Sequence, residues 1–165
     1  MKTRITSTLG ALLMAGAAVT SAHANGLSEG FVTEEIMVTP ENFKTAATHW
    51  EFTKYLPKIG SVNKFGHARA PYPTDIRATV RPNRDTLYSI AIVDITEGAT
   101  LSIPDMGDRY VSAMVINEDH YINKVYLGGG EFPLTKEIFD TDYVFVAMRT
   151  LVNSADPEDV AAVNA

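Results

Sequence analysis

Apolar positions follow two different periods along this chain, and the change between them divides it. Between residues 40 and 60 they recur at helical spacing. Phe43, Ala47 and Trp50 form one stripe, and Phe52, Tyr55, Leu56 and Ile59 continue it on a rotated face. Thr39-Pro40-Glu41 supplies an N-cap, a proline at the first helical position and an acid in the first turn. A core-facing helix is therefore predicted over 40–56, closed by Pro57 and Gly60.

From Ile76 the period falls to two. Ile76, Ala78 and Val80 alternate with Arg77, Thr79 and Arg81 as a half-buried strand, and the more apolar run 87–95 reads as a well-buried one. Further strands are predicted over 100–103, 109–116, 121–127 and 143–151, with a turn at Pro104-Asp105-Met106-Gly107-Asp108 and a hairpin or loop at Gly128-Gly129-Gly130. That glycine triplet lacks the Lys-Ser/Thr ending of a phosphate loop. Asp156-Pro157-Glu158-Asp159 is a strong helix start, although only residues 160–165 follow it. The pattern predicts an α+β fold, a mostly antiparallel, sandwich-like β-sheet with one long N-terminal helix and the start of a C-terminal helix.

The first two dozen residues belong to neither period. Lys2 and Arg4 precede the apolar run 9–19, and Ser21-Ala22-His23-Ala24 places small residues where a signal peptidase reads, so residues 1–24 are expected to be a signal peptide and 25–165 a single domain. The apolar run is shorter than the ~20 residues that span a bilayer. A periplasmic or secreted location follows, with no membrane attachment after cleavage. The chain has no Cys, so its core must hold without disulfides. Removal of Lys2 and Arg4 leaves 12 of the 14 basic residues against 20 acidic ones, a formal charge of −8, which argues against nucleic acid as a partner.

Candidate chemistry sits in three places. His67 and Arg69 lie in a Gly- and Pro-rich loop, where His67 serves either as proton carrier or metal ligand, or as a histidine bonding a nearby carbonyl. Glu118-Asp119-His120-Tyr121 brings two carboxyl groups and an imidazole together; on an extended chain only Glu118 and His120 share a side, and an acidic turn bonded to its own backbone is the competing reading. Asn83-Arg84-Asp85-Thr86-Leu87-Tyr88-Ser89 leads into the buried strand, either as a hydrogen-bonded turn or with Asp85 and Tyr88 facing a pocket together with His67 and His120. His49, beside Trp50, reads as a surface or core-edge histidine.

His67, Asp85 and His120 are thus the catalytic candidates, and Arg69, Asn83, Arg84, Tyr88, Glu118 and Tyr121 the binding candidates. No cofactor is expected; a divalent metal held by His67, His120 and Glu118 is the alternative these residues allow. Nothing supports a nucleotide cofactor, and a serine hydrolase lacks both the Gly-x-Ser-x-Gly elbow and a base beside Ser89 or Ser112.

The order of Phe43-Lys44-Thr45-Ala46, Phe65-Gly66-His67-Ala68-Arg69, Asn83 to Ser89, Asn117-Glu118-Asp119-His120-Tyr121 and Arg149-Thr150-Leu151-Val152 resembles the bacterial family known as domain of unknown function 1254. The resemblance implies export, and a second, all-β domain of unknown function 1214 joined through the helix that begins at Asp156. That second domain is expected to be supplied in trans. No catalytic residue comes with the resemblance. Three functions stay open: a non-catalytic module that binds a partner domain or small ligand, a hydrolase working through His67, His120, Asp85 and Glu118, and a fragment of a longer protein with a bare apolar sheet face.

Overall fold

The computed structural model of the chain describes residues 37–75 and 83–165, so the expected signal peptide and the alternating stretch 76–80 lie outside the described residues. Helix α1 spans Phe43–Ile59, followed by β1 (Gly66–His67), β2 (Thr86–Asp94), β3 (Ala99–Ile103), β4 (Val111–Asn117), β5 (Ile122–Leu127), β6 (Gly130–Leu134), α2 (Lys136–Phe139), β7 (Tyr143–Leu151) and α3 (Pro157–Val163). Five strands form one sheet in the order β1-β2-β7-β4-β5, and β3 pairs with β6 in a second. Every pairing is antiparallel.

The apolar runs explain which strands are central. β7 pairs with β2 from Tyr143↔Asp94 to Leu151↔Thr86 and with β4 from Val144↔Asn117 to Thr150↔Val111, so its backbone is bonded on both edges. Side chains then alternate between two cores. One face of the sheet packs Ala91, Ala113, Val115, Val144 and Val146 against Leu101, Ile103, Leu134 and Phe139 from the β3–β6 pair and α2. The other packs Ile92 and Tyr143 against Phe52, Leu56 and Ile59 of α1. Each fully buried side chain of this size contributes about 1.5–3 kcal/mol, which is what a cysteine-free domain has to rely on. The α+β, mostly antiparallel architecture is as predicted.

Helix α1 departs from its expected bounds at both ends. Thr39-Pro40-Glu41 forms a turn ahead of it, in which the Thr39 N–H donates to Asn42 Oδ1 at 2.8 Å and Asn42 becomes the N-cap position. Pro57 sits inside the last turn instead of ending the helix; its exposed ring costs one backbone donor there, and Gly60, at φ +89°, closes the helix by donating to the Leu56 carbonyl. Only one of the two apolar stripes faces the sheet. Phe52, Leu56 and Ile59 are buried, whereas Phe43 and Trp50 are 57 % and 52 % exposed. Residues two apart lie about 200° around a helix, so Trp50 and Phe52 do not meet the same sheet. Lys54 Nζ instead covers the outward-facing Trp50 ring, 3.5 Å from its centre.

The glycine triplet is a corner between the two sheets. Gly128 adopts φ +75°, and a Cβ on Gly129 would lie 2.7 Å from the Pro104 carbonyl oxygen and the Asp105 Cα. The chain then leaves the five-stranded sheet as β6 and pairs with β3.

Candidate functional site

Residues 118–120 form a turn between β4 and β5, and in a turn successive side chains need not alternate. All three reach α1. Glu118 Oε1 meets His49 Nε2 at 2.6 Å, Asp119 pairs with Lys44 at 2.9 Å and accepts from Thr45 Oγ1 at 3.0 Å, and His120 Nδ1 lies 2.9 Å from Thr48 Oγ1. Expecting Asp119 to turn away assumed an extended backbone, which ends at Asn117. The second carboxyl oxygen of Glu118 accepts from the backbone N–H groups of Asp142 and Tyr143 at 3.0 and 2.9 Å, tying the turn to the start of β7. Lys44, and then Thr45, hold the Asp119 carboxyl below its ordinary range, while Asp119 raises Lys44. This arrangement fastens the helix to the sheet.

Behind it, the buried Asn117 donates to the Phe139 carbonyl at 2.9 Å and accepts from the Tyr121 N–H at 3.0 Å. Sequence analysis names Asn117 only within the motif that carries the resemblance and assigns it no role; its signal is a polar residue at the end of an apolar strand. The ring of Tyr121 is 61 % exposed, with Lys44 Nζ 5.3 Å from its centre.

The other candidates lie elsewhere. His67, on the edge strand β1, has its Nδ1 2.8 Å from Ser89 Oγ of β2 and its ring stacked on Phe65. Ser89 therefore has an imidazole beside it, which the sequence did not reveal because the two residues are 22 apart and meet only through strand pairing. Ser89 points to the face opposite Tyr88 and Ile90, so the pair lies across the sheet from His120 and its helix contact. Asn83 Nδ2 donates to Thr86 Oγ1 and Tyr88 Oη, its Oδ1 accepts from the Asp85 N–H, and Arg84 donates to the Tyr72 carbonyl. Asp85 itself is exposed, at the opening around α3 that Arg109, Asp156 and Asp159 also line. Arg69 donates to the Asn164 carbonyl at 3.3 Å, which ties its loop to the end of α3.

The catalytic candidates His67, Asp85 and His120 thus lie in three separate places, with Glu118 in the same turn as His120. Among the described residues no group of three or more His, Asp or Glu is gathered in a way that would hold a metal ion.

Two cavities open on the α1 side of the sheet. The larger, of about 570 Å³, has Tyr55, Tyr88, Ile90, Met114, Phe145 and Ala147 among its walls, with Lys58 and the β1 edge at its rim. The smaller, of about 300 Å³, runs beneath Thr48 and His120 and shares Tyr55, Ile116 and Phe145 with the first. The Tyr55 and Phe145 rings, 4.9 Å apart, stand between them. Sequence reading assigned Tyr55 to the core and gave Lys58 no role.

Beyond these cavities the same face is bare. β5 is an edge strand, and Ile122, Val125 and Leu127, paired with Ile116, Met114 and Ser112 on that face, are 57 %, 55 % and 66 % exposed.

Comparison with known proteins gives a likeness of fold and a partial match to a family model. The crystal structure of the VPA0106 protein from Vibrio parahaemolyticus is similar over 73 % of this chain with a TM-score of 0.52 and 20 % sequence identity, a likeness of fold alone. The match covers 32 % of that protein, so the chain spans about a third of its length. No curated protein matches the chain. Residues 62–131 match the model of the family described as protein of unknown function (DUF1254), consistent with a DUF1254-like domain.

Proposed function

We propose that this is an exported, non-catalytic interaction module whose bare sheet face docks a second, β-rich domain. The observation that carries the reading is the row Ile122, Val125 and Leu127 on an edge strand, more than half exposed and continuous with Met114 and Ile116. Water-facing apolar side chains in a contiguous row mark a contact surface, and an unpaired strand edge offers backbone groups to a further strand. A β-rich domain satisfies both demands. The matched region makes up 32 % of the VPA0106 chain, which supports a neighbouring domain as the occupant. Export is supported by the pattern of residues 1–24. Among the described residues no helix is long and apolar enough to cross a membrane.

The test is binding between this chain and a separately produced domain of unknown function 1214. The two should co-elute as a complex, and Val125→Glu with Leu127→Glu should weaken it at least tenfold, because each charge would be desolvated in the contact. No complex, or a complex indifferent to both substitutions, defeats the proposal.

A hydrolase is the second reading, favoured by the contact of His67 Nδ1 with Ser89 Oγ, a base within reach of a hydroxyl. It requires that Ser89→Ala abolish turnover of a simple activated ester. An unchanged rate eliminates Ser89 as nucleophile.

A further inference from the structure

We infer that the larger cleft on the α1 side is a binding site for a small amphipathic anion, an aromatic or alkyl carboxylate whose apolar body lies among Tyr55, Tyr88, Met114 and Phe145. Its volume of about 570 Å³ falls within the ~300–1,000 Å³ typical of small-molecule sites, and its walls are apolar and aromatic with few polar groups.

Charge selects the class of ligand. Lys58 Nζ lies 5.1 Å from the centre of the Tyr55 ring, and the Arg149 guanidinium 5.3 Å from that of Tyr88. Two of the aromatic walls thus each carry a cation. Among the described residues neither Lys58 nor Arg149 is within ion-pair distance of a carboxylate, and no Asp or Glu lines the cleft. The ring faces hold these cations beside an apolar surface without neutralising them. In a chain of formal charge −6, a cleft with Lys58 in its lining, Arg149 over its Tyr88 wall and no carboxylate among the described lining residues is a local reversal of sign. An anion placed there meets opposite charge at the edge of a low-dielectric surface, with Lys58 as its first charge-assisted partner, and a cation meets like charge. Tyr88 Oη and Asn83, already bonded to each other at 3.2 Å, add polar groups at the Arg149 end.

Met114 and Ile116 border both surfaces, but Val125 and Leu127 do not line the cleft, so substitutions there test domain docking separately. The probes are 4-butylbenzoate, the neutral 4-butylbenzyl alcohol and the cationic 4-butylbenzylammonium, titrated calorimetrically into the full chain. The benzoate should bind at least tenfold more tightly than the ammonium ion. Lys58→Glu, a change at an exposed position, should remove that preference while leaving the alcohol within about twofold. Met114→Trp, with cooperative unfolding checked separately, should weaken all three by filling the cleft. Val125→Glu with Leu127→Glu should leave all three unaffected, which separates failure here from failure of the docking proposal. Equal affinity for the three probes, a benzoate preference that survives Lys58→Glu, or no binding overturns the assignment.

Discussion

Glu118 is the residue on which the helix and the sheet depend together. Its two carboxyl oxygens divide the work, one meeting His49 of α1 and the other receiving the N–H groups of Asp142 and Tyr143. Both Glu118 and His49 have side chains only 13–14 % exposed, so water does not readily replace these contacts. By contrast the Lys44–Asp119 pair is 45 % and 35 % exposed, and pairs of that kind contribute little. His120, at φ +68°, holds a left-handed backbone that non-glycine residues seldom adopt, with its contact to Thr48 as local compensation. Glu118→Ala removes the acceptor of two backbone donors and should cost about 2–3 kcal/mol. Glu118→Gln keeps an acceptor oxygen and should cost about 1 kcal/mol. The denaturant midpoints of the two variants measure the difference; an alanine variant as stable as the glutamine one would show that the carboxyl is not fastening α1. The composition of this turn was legible in the sequence, including a locally bonded acidic turn as one of its readings. Its orientation was not, because the direction of three side chains depends on where the strand stops.

Helix α3 shows how a short element is held by its attachments. Seven residues do not sustain a helix alone, and α3 has no buried residue. What holds it is polar: Asp156 caps its N-terminus by accepting from the Glu158 N–H, Arg109 Nη2 and Nη1 donate to the two oxygens of Asp159 at 2.6 and 3.1 Å, and the Asn153 N–H donates to Asp159 at 2.7 Å. Arg109 first, and the Asn153 N–H next, hold the Asp159 carboxyl down at about 2. An unfolded Asp titrates at about 3.9, so the folded group is depressed and its contribution is complete above that value and lost as pH falls through about 2. The difference in melting temperature between the wild type and Asp159→Asn should accordingly be largest above pH 5 and shrink steadily towards pH 2. A difference that stays constant across this range would mean that the pair does not anchor α3. The Asp156-Pro157 start and the long strands were readable because cap chemistry and apolar runs are local. β6 was hidden by Pro133 and the glycines before it; a proline is tolerated there because β6 pairs with β3 on one edge only. The two-residue β1 and four-residue α2 are too short to establish a period. The outward stripe of α1 was misread for a different reason, since periodicity finds apolar faces but does not say which of two meets a sheet.

At the scale of the whole molecule the layers are unequal. The β3–β6 pair and α2 cover one face of the five-stranded sheet, while α1 covers only part of the other, over Ile92 and Tyr143. The cleft marks the margin of that cover, and β5 lies beyond it. Sequence reading placed apolar residues throughout 121–127 without showing that their face would be unpartnered, because coverage depends on where a distant helix crosses. An apolar row left in water has two consequences that separate an intact docking domain from a collapsed fragment. The chain should bind the uncharged dye Nile red in its native state, as exposed apolar surface does, and yet unfold in a single cooperative transition, as its two cores require. Val125→Lys with Leu127→Lys should then lower Nile red fluorescence severalfold while moving the stability by no more than about 0.5 kcal/mol, because neither side chain is in a core. A fragment with loosened packing would give the opposite result: broad unfolding, and dye binding that the two lysines leave untouched because the dye enters the cores themselves.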